Sequence, residues 1–189
     1  MATALAHPAT RTEQAIAVDA DAETTFDAIG SSDLGSSAPI KALTLARALP
    51  DRVIRRLRHL PPQPPPQRTI GGLIDAGWWL VLANEAPHEL ALGLVMWDPR
   101  VAREGQTLSI FEAPADGAVR VVWTLRVEPL GDRGSRLVTE TQTNPIGEDA
   151  RRRFRRYWTL ISPFAALTRR LVLRRIARAA EQQAAMVRT

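Results

Sequence analysis

The 189-residue chain contains no cysteine, which excludes disulfides, thiolate zinc sites, iron–sulfur clusters and thiol nucleophiles by counting alone. Its three histidines, His7, His59 and His88, lie in distant segments. A histidine-built metal centre would have to gather all three and add carboxylates, so no metal and no cofactor is expected. Lysine is almost missing, one Lys41 against 24 arginines. We read this as the coding bias of a GC-rich genome, and it carries the isoelectric point to about 11.0. A long apolar run is also missing. The most apolar stretch, Leu160 to Leu173, is broken by Pro163, Arg169 and Arg170, short of the roughly 18 uninterrupted residues a bilayer span needs. The first residues lack the basic start, apolar core and small-residue cleavage site of a secretion signal. No membrane span and a cytoplasmic location are the expectations.

What is present is ordinary for a folded protein, with 45% hydrophobic and 24% charged residues, a balance that excludes disorder throughout. The net charge of +5 is concentrated in one place. Residues 1–145 carry 14 basic and 17 acidic side chains, whereas Ile146 to Thr189 carry 11 arginines against Glu148, Asp149 and Glu181.

The apolar pattern divides the chain into a short arm, residues 1–10, and a single domain over 11–185. Arg11 to Val18 alternates as a strand, and Asp19 to Asp21 caps a helix from Ala22 that ends at Gly30, Ser31 and Ser32. A second helical stretch starts near Pro39 and runs through Ile40, Leu43 and Ala46 to a break at Pro50; Val53, Ile54 and Leu57 resume the spacing. Leu60 to Arg68 holds five prolines in nine residues, so 60–68 is an extended connector. Thr69 to Gly77 reads as a short capped helix with a left-handed exit at Gly77.

Strands follow: Trp78 to Asn84, a turn over Glu85 to His88, and Glu89 to Trp97. A weaker strand is predicted over Thr107 to Glu112. Then Ala118 to Glu128 and Ser135 to Thr143 form a hairpin about Gly131 and Gly134. With Arg126 opposite Val138, one face of this hairpin carries Val121, Trp123, Leu125, Val127, Leu137, Thr139 and Thr141 and is covered. The other, with Arg120, Thr124, Arg126, Glu140 and Gln142, is expected to be solvated. The last element is a helix from Glu148 to about Ala185, bent at Pro163. Its buried stripe is predicted to hold Phe154, Tyr157, Trp158, Ile161, Phe164, Ala165, Thr168, Val172, Ile176 and Ala179.

Val121-Val-Trp-Thr-Leu-Arg-Val-Glu-Pro-Leu130, Ser135-Arg-Leu-Val-Thr-Glu-Thr141 and Arg151-Arg-Arg-Phe-Arg-Arg-Tyr-Trp158, with Asp33-Leu34 and Ala38-Pro-Ile-Lys-Ala-Leu43 before them, resemble the START-like, or SRPBCC, superfamily. The likeness is to a bacterial group related to polyketide cyclases and dehydratases. It covers roughly residues 11–180, and its motifs are structural. It implies an α+β helix-grip fold, a curved antiparallel sheet wrapped around the long C-terminal helix with an apolar cavity between them. It also implies binding of a small hydrophobic or aromatic molecule such as a lipid or polyketide.

The lining predicted for that cavity is Trp79, Val81, Leu92, Leu94, Met96, Trp123, Leu125, Thr139, Thr141, Tyr157 and Ile161. Both faces of the 78–97 hairpin are apolar. The face with Trp79, Val81, Leu92 and Leu94 is preferred because Asn84 and Glu89 mark the other as wetter. A cyclase-like enzyme is the alternative. It would need an inward acid or base, and Tyr157 is the best candidate, although core packing with a satisfied hydroxyl explains it as well. A third reading is an interaction protein that docks through the arginine-rich helix. Nucleic acid is not expected as a partner, because the aromatic residues beside Arg151 to Arg156 belong to the buried stripe; a homodimer is compatible with the sequence.

Overall fold

In the computed structural model the first strand follows its side-chain alternation, and three of the helices open on a side-chain cap. The structure describes residue 5, residues 8–33 and residues 69–187. The predicted helical stretch over 39–57, the proline connector, His7 and His59 lie outside the described residues.

The first strand, β1 (Thr10–Val18), alternates half-buried and exposed side chains along its length. Asp21 then caps α1 (Ala22–Ser31), its carboxylate accepting the Thr24 backbone N–H at 2.8 Å. This hydrogen bond, with that from the Thr24 hydroxyl, holds the Asp21 carboxyl below the ordinary carboxylate range. Thr69 caps α2 (Ile70–Asp75) by accepting from the Gly72 N–H. Gly77, at φ +70°, ends α2 as predicted: the Gly77 N–H donates to the Ile74 carbonyl and the Trp78 N–H to the Leu73 carbonyl, the paired bonds of a left-handed helix exit.

Strands β2 (Leu80–Glu85), β3 (Glu89–Met96), β4 (Val119–Leu130) and β5 (Gly134–Pro145) complete one antiparallel sheet in the order β1-β5-β4-β3-β2. The β4–β5 register pairs Arg126 with Val138, the pairing read from the turn, and Gly131 makes that turn at φ +70°. The last helix, α5 (Glu148–Val187), runs 40 residues without interruption through Pro163 and crosses one face of the sheet, packing on α1, β1 and β5. The architecture is α+β, a helix-grip arrangement of sheet and C-terminal helix.

The inner face of the sheet, toward α5, carries the main core. Leu90, Leu92, Leu125, Val127 and Leu137 meet Val172, Leu173, Ile176, Ala177 and Ala180 of α5 there, and Ala28 and Ile29 of α1 close the side. A bulge between Val81 and Ala83 shifts the β2 register, so that Asn84 pairs with Leu90. The wet side chain of Asn84 therefore lies on the same face as Leu90, while Glu89, opposite Arg126, lies on the other.

Two sequence expectations fail on the outer face. The segment predicted as a strand at 107–112 is a helix, α4 (Leu108–Glu112), whose cap is the Thr107 hydroxyl accepting from the Ile110 N–H. It follows the one-turn helix α3 (Val101–Glu104). The face expected to be solvated is largely covered: Ile110 and Phe111 of α4 pack with Leu82, Ala91, Val95, Ala118 and Val122 into a second core. Gly93 permits this, since a Cβ there would lie 2.8 Å from a Phe111 ring carbon. Beyond Gly93, where β3 has no β2 partner, the Gln106 amide bonds both the N–H and the carbonyl of Val95, at 2.9 and 3.0 Å, and takes the place of a neighbouring strand.

Farther along the same face Glu140 is only 3% exposed. It is bound by Arg11 at 2.9 Å and by the Gln142 amide, with Arg126 at 3.9 Å. The Arg126–Glu140 cross-strand pair lies on the outer face of the sheet, as the alternation indicated, with Glu140 buried and Arg126 half-buried.

Candidate functional site

Where the first half of α5 passes over the ends of β3 and β4, the inner face changes from aliphatic to aromatic. Val119, Val121 and Phe154 form a buried floor, and Trp79, Leu94, Met96, Tyr157 and Trp158 pack around it while remaining partly exposed. Two sets of rings stand on this floor. Trp79 meets Trp123 at 5.5 Å between centroids with a 55° tilt. Phe154 stacks on Trp158 at 5.6 Å and lies 6.1 Å from Tyr157. Trp97 presents its edge to Tyr157 at 5.8 Å and to Phe154 at 6.4 Å.

Local sequence places each ring. Trp123 points inward because it sits on the alternating face of β4 opposite Thr141, and its indole N–H donates to the Thr139 hydroxyl at 2.6 Å. That hydroxyl donates in turn to the Thr124 carbonyl at 3.3 Å. Both polar groups are satisfied, so the Trp123 ring is held at a fixed tilt. Phe154, Tyr157, Trp158 and Ile161 follow the helical spacing of α5.

Trp97 was not among the predicted lining residues. It leaves β3 at φ +65°, a left-handed conformation that costs a bulky residue energy. Two neighbours hold it there. The Arg153 guanidinium lies 5.3 Å over its ring and donates to the Gly117 carbonyl. The next residue, Asp98, is buried and accepts four hydrogen bonds, from the backbone N–H groups of Arg100 and Ala115 and from both Nε and Nη2 of Arg100. The only sequence signal for Trp97 was an aromatic residue directly before Asp98-Pro99, at the end of a strand.

The Arg100 side chain and these backbone donors outweigh burial and hold the Asp98 carboxyl well below the usual carboxylate range. Folding lowers this pKa, so the stabilisation is full above the unfolded value near about 4 and is lost as the pH falls toward the folded value. Asp98→Asn is therefore expected to destabilise the protein by about 1–3 kcal/mol at neutral pH, with the gap to wild type closing below pH about 4. Denaturant midpoints across that range check this, and a gap independent of pH would contradict it.

The predicted lining residues fall into three positions. Trp79, Leu94, Met96, Trp123 and Tyr157 come together at the aromatic seam. Leu92, Leu125 and Thr139 are fully buried beneath it. Thr141 and Ile161 are partly exposed, and Val81, at the β2 edge, is 46% exposed. His88 is exposed in the β2–β3 turn, away from the rings.

Two open depressions border α5. One, of about 530 Å³, is lined by Asp116, Gly117, Asp149, Arg152, Arg153 and Arg156. The other, of about 670 Å³, separates the middle of α5 from β1 and is lined by Gln14, Ala15, Ile16, Ala166, Leu167, Arg170, Leu173 and Arg174. In the second, Gln14 donates its amide to the Ala166 carbonyl at 3.3 Å, and its Oε1 is buried without a partner. Neither contains a tryptophan or Tyr157. Among the described residues no group of acidic or histidine side chains is arranged to hold a metal ion.

No protein-family model matches the chain, and no curated protein matches it. Among solved structures it is similar to a conserved protein from Geobacillus kaustophilus, at 12% identity over 92% of this chain and 96% of that one, with a TM-score of 0.44. It is also similar to the Zhui aromatase/cyclase of a Streptomyces species, at 14% identity over 92% and 94% of the two chains and a TM-score of 0.36. A START superfamily protein from Mycobacterium smegmatis aligns at 14% identity over 94% and 98%, with a TM-score of 0.32.

Proposed function

We propose that this chain is a START-like binding protein that takes up a small hydrophobic or aromatic molecule between the inner face of the sheet and the first half of α5. The observation that carries this reading is the aromatic seam. Trp79, Trp123, Tyr157 and Trp158 are partly exposed at a helix–sheet junction, and together they offer an aromatic wall of the kind that lines small-molecule sites. A flat apolar guest entering between the Trp79–Trp123 pair and the Tyr157–Trp158 side would gain aromatic contacts on both of its faces. It would also remove the remaining apolar surface from water. The resemblance of residues 121–158 to SRPBCC sequences supports the same location.

A reaction at this seam would fall to Tyr157, the sole phenol of the chain. Tyr157→Phe separates the two readings, since a binding protein keeps its affinity within about fivefold when one hydroxyl is removed, whereas a catalyst loses turnover. Titration with fatty acids, flavonoids and polyketide-like aromatics is expected to quench tryptophan fluorescence saturably for one of these classes. Trp123→Leu is expected to weaken that binding by about tenfold or more. Absence of saturable binding to all three classes would overturn the proposal.

A further inference from the structure

The outward face of α5 is not the uniformly charged surface its arginine content suggests. Leu160 is 71% exposed, Phe164 49% and Leu167 48%. Their spacing of four and then three residues puts them on one stripe, about 10 Å long at 1.5 Å per residue. Phe164 was expected on the buried stripe. The structure turns it outward, because Phe154, Val172 and Ile176 set the inward direction and Phe164 lies off that line.

Arginines bracket the stripe, with Arg155 and Arg156 before it and Arg170 and Arg174 after it, all exposed. Among the described residues none of these four makes an ion pair. Residues 150–180 contain ten arginines and no acidic side chain.

The geometry points to a docking face for an anionic lipid surface. The helix would lie in the plane of the interface, its Leu160, Phe164 and Leu167 side chains entering the acyl boundary and Arg156, Arg170 and Arg174 meeting the headgroups. Charge selects this occupant over the others. A second copy would bring two acid-free arginine faces together, and a nucleic acid would set its phosphates against the three apolar side chains. Spanning does not enter, since none of the described helices is long and apolar enough to cross a membrane.

The test is flotation of the whole protein with phosphatidylcholine vesicles, with and without phosphatidylglycerol, at roughly physiological salt, where charges are screened over about 8 Å. Flotation with the anionic vesicles alone is expected. Combined Leu160→Gln, Phe164→Gln and Leu167→Gln is expected to lower it at least about tenfold. Arg156→Gln, Arg170→Gln and Arg174→Gln together should lower it on the order of fivefold per charge. All six positions are exposed or at the rim of a groove, so both variants should melt as the wild type does. In Phe164→Trp, brominated lipid should quench the new indole. Three results would each overturn the inference: no flotation of wild type with anionic vesicles, flotation unchanged by the apolar substitutions, or a solution dimer that those substitutions dissociate. Binding to duplex DNA without binding to vesicles would do the same.

Discussion

Removal of residues 148–187 is expected to abolish cooperative unfolding. This helix supplies Phe154, Val172, Leu173 and Ile176 to the core together with the small residues Ala177, Ala180 and Ala184. Without it, Leu92, Leu125, Val127 and Leu137 on the inner face of the sheet lose their cover. Burial of the four large side chains alone amounts to about 1.5–3 kcal/mol each, comparable with the whole stability of a typical domain, about 5–15 kcal/mol. A sheet with one face uncovered has no second layer to form a core. Calorimetry on the truncated chain checks this, and a single cooperative melt retained by the truncation would contradict the helix-grip reading.

Phe154→Ala is the single substitution with the largest expected cost, about 3–5 kcal/mol. The ring is buried and touches Trp97, Tyr157 and Trp158, so its loss leaves a void beneath the aromatic seam. Stability should fall by that amount in denaturant unfolding, and the partly exposed rings should gain mobility. Leu160→Ala, six residues farther along the same helix but outward, is expected to change stability by no more than about 0.5 kcal/mol. Equal costs for the two substitutions would mean that the buried and outward faces of α5 have been assigned wrongly.

The parts of the fold legible in the sequence were those in which one physical signal dominated. Gly131 and the inward alternation of Val121 to Val127 define the β4–β5 register to the residue. Thr69 and Gly77 bracket α2 by cap chemistry, and Glu148 and Asp149 open α5 at its positive end. The segment 107–112 was misread because Thr-Leu-Ser-Ile-Phe is short and apolar enough to alternate as a strand. Its helical state is supported by tertiary packing: the bare surface at Gly93 accepts the Phe111 ring, and Ile110 joins the second core beside it. On the outer face the polar side chains of Thr124, Glu140 and Gln142 read as solvated by alternation alone, and they are buried because packing covers them and hydrogen bonds and arginines meet the charge of Glu140.

At the candidate site, strand alternation and helical spacing brought out Trp79, Trp123 and Tyr157. Trp97 depends on a left-handed residue and on the Asp98–Arg100 clasp, neither of which has a periodic signature. Phe164 shows the limit of helical spacing over a long element. Several stripes of α5 are apolar, and only the sheet and α1 determine which of them is covered.

The central claim, that an apolar guest enters between the rings at the junction of sheet and α5, is tested most directly by following the five tryptophan indole N–H resonances during titration with the best-quenching ligand. Trp123 and Trp79 are predicted to shift saturably together, with Trp97 and Trp158 following at the same midpoint, while Trp78, exposed outside the ring clusters, stays in place. Saturable binding that leaves Trp79 and Trp123 unmoved would contradict the account.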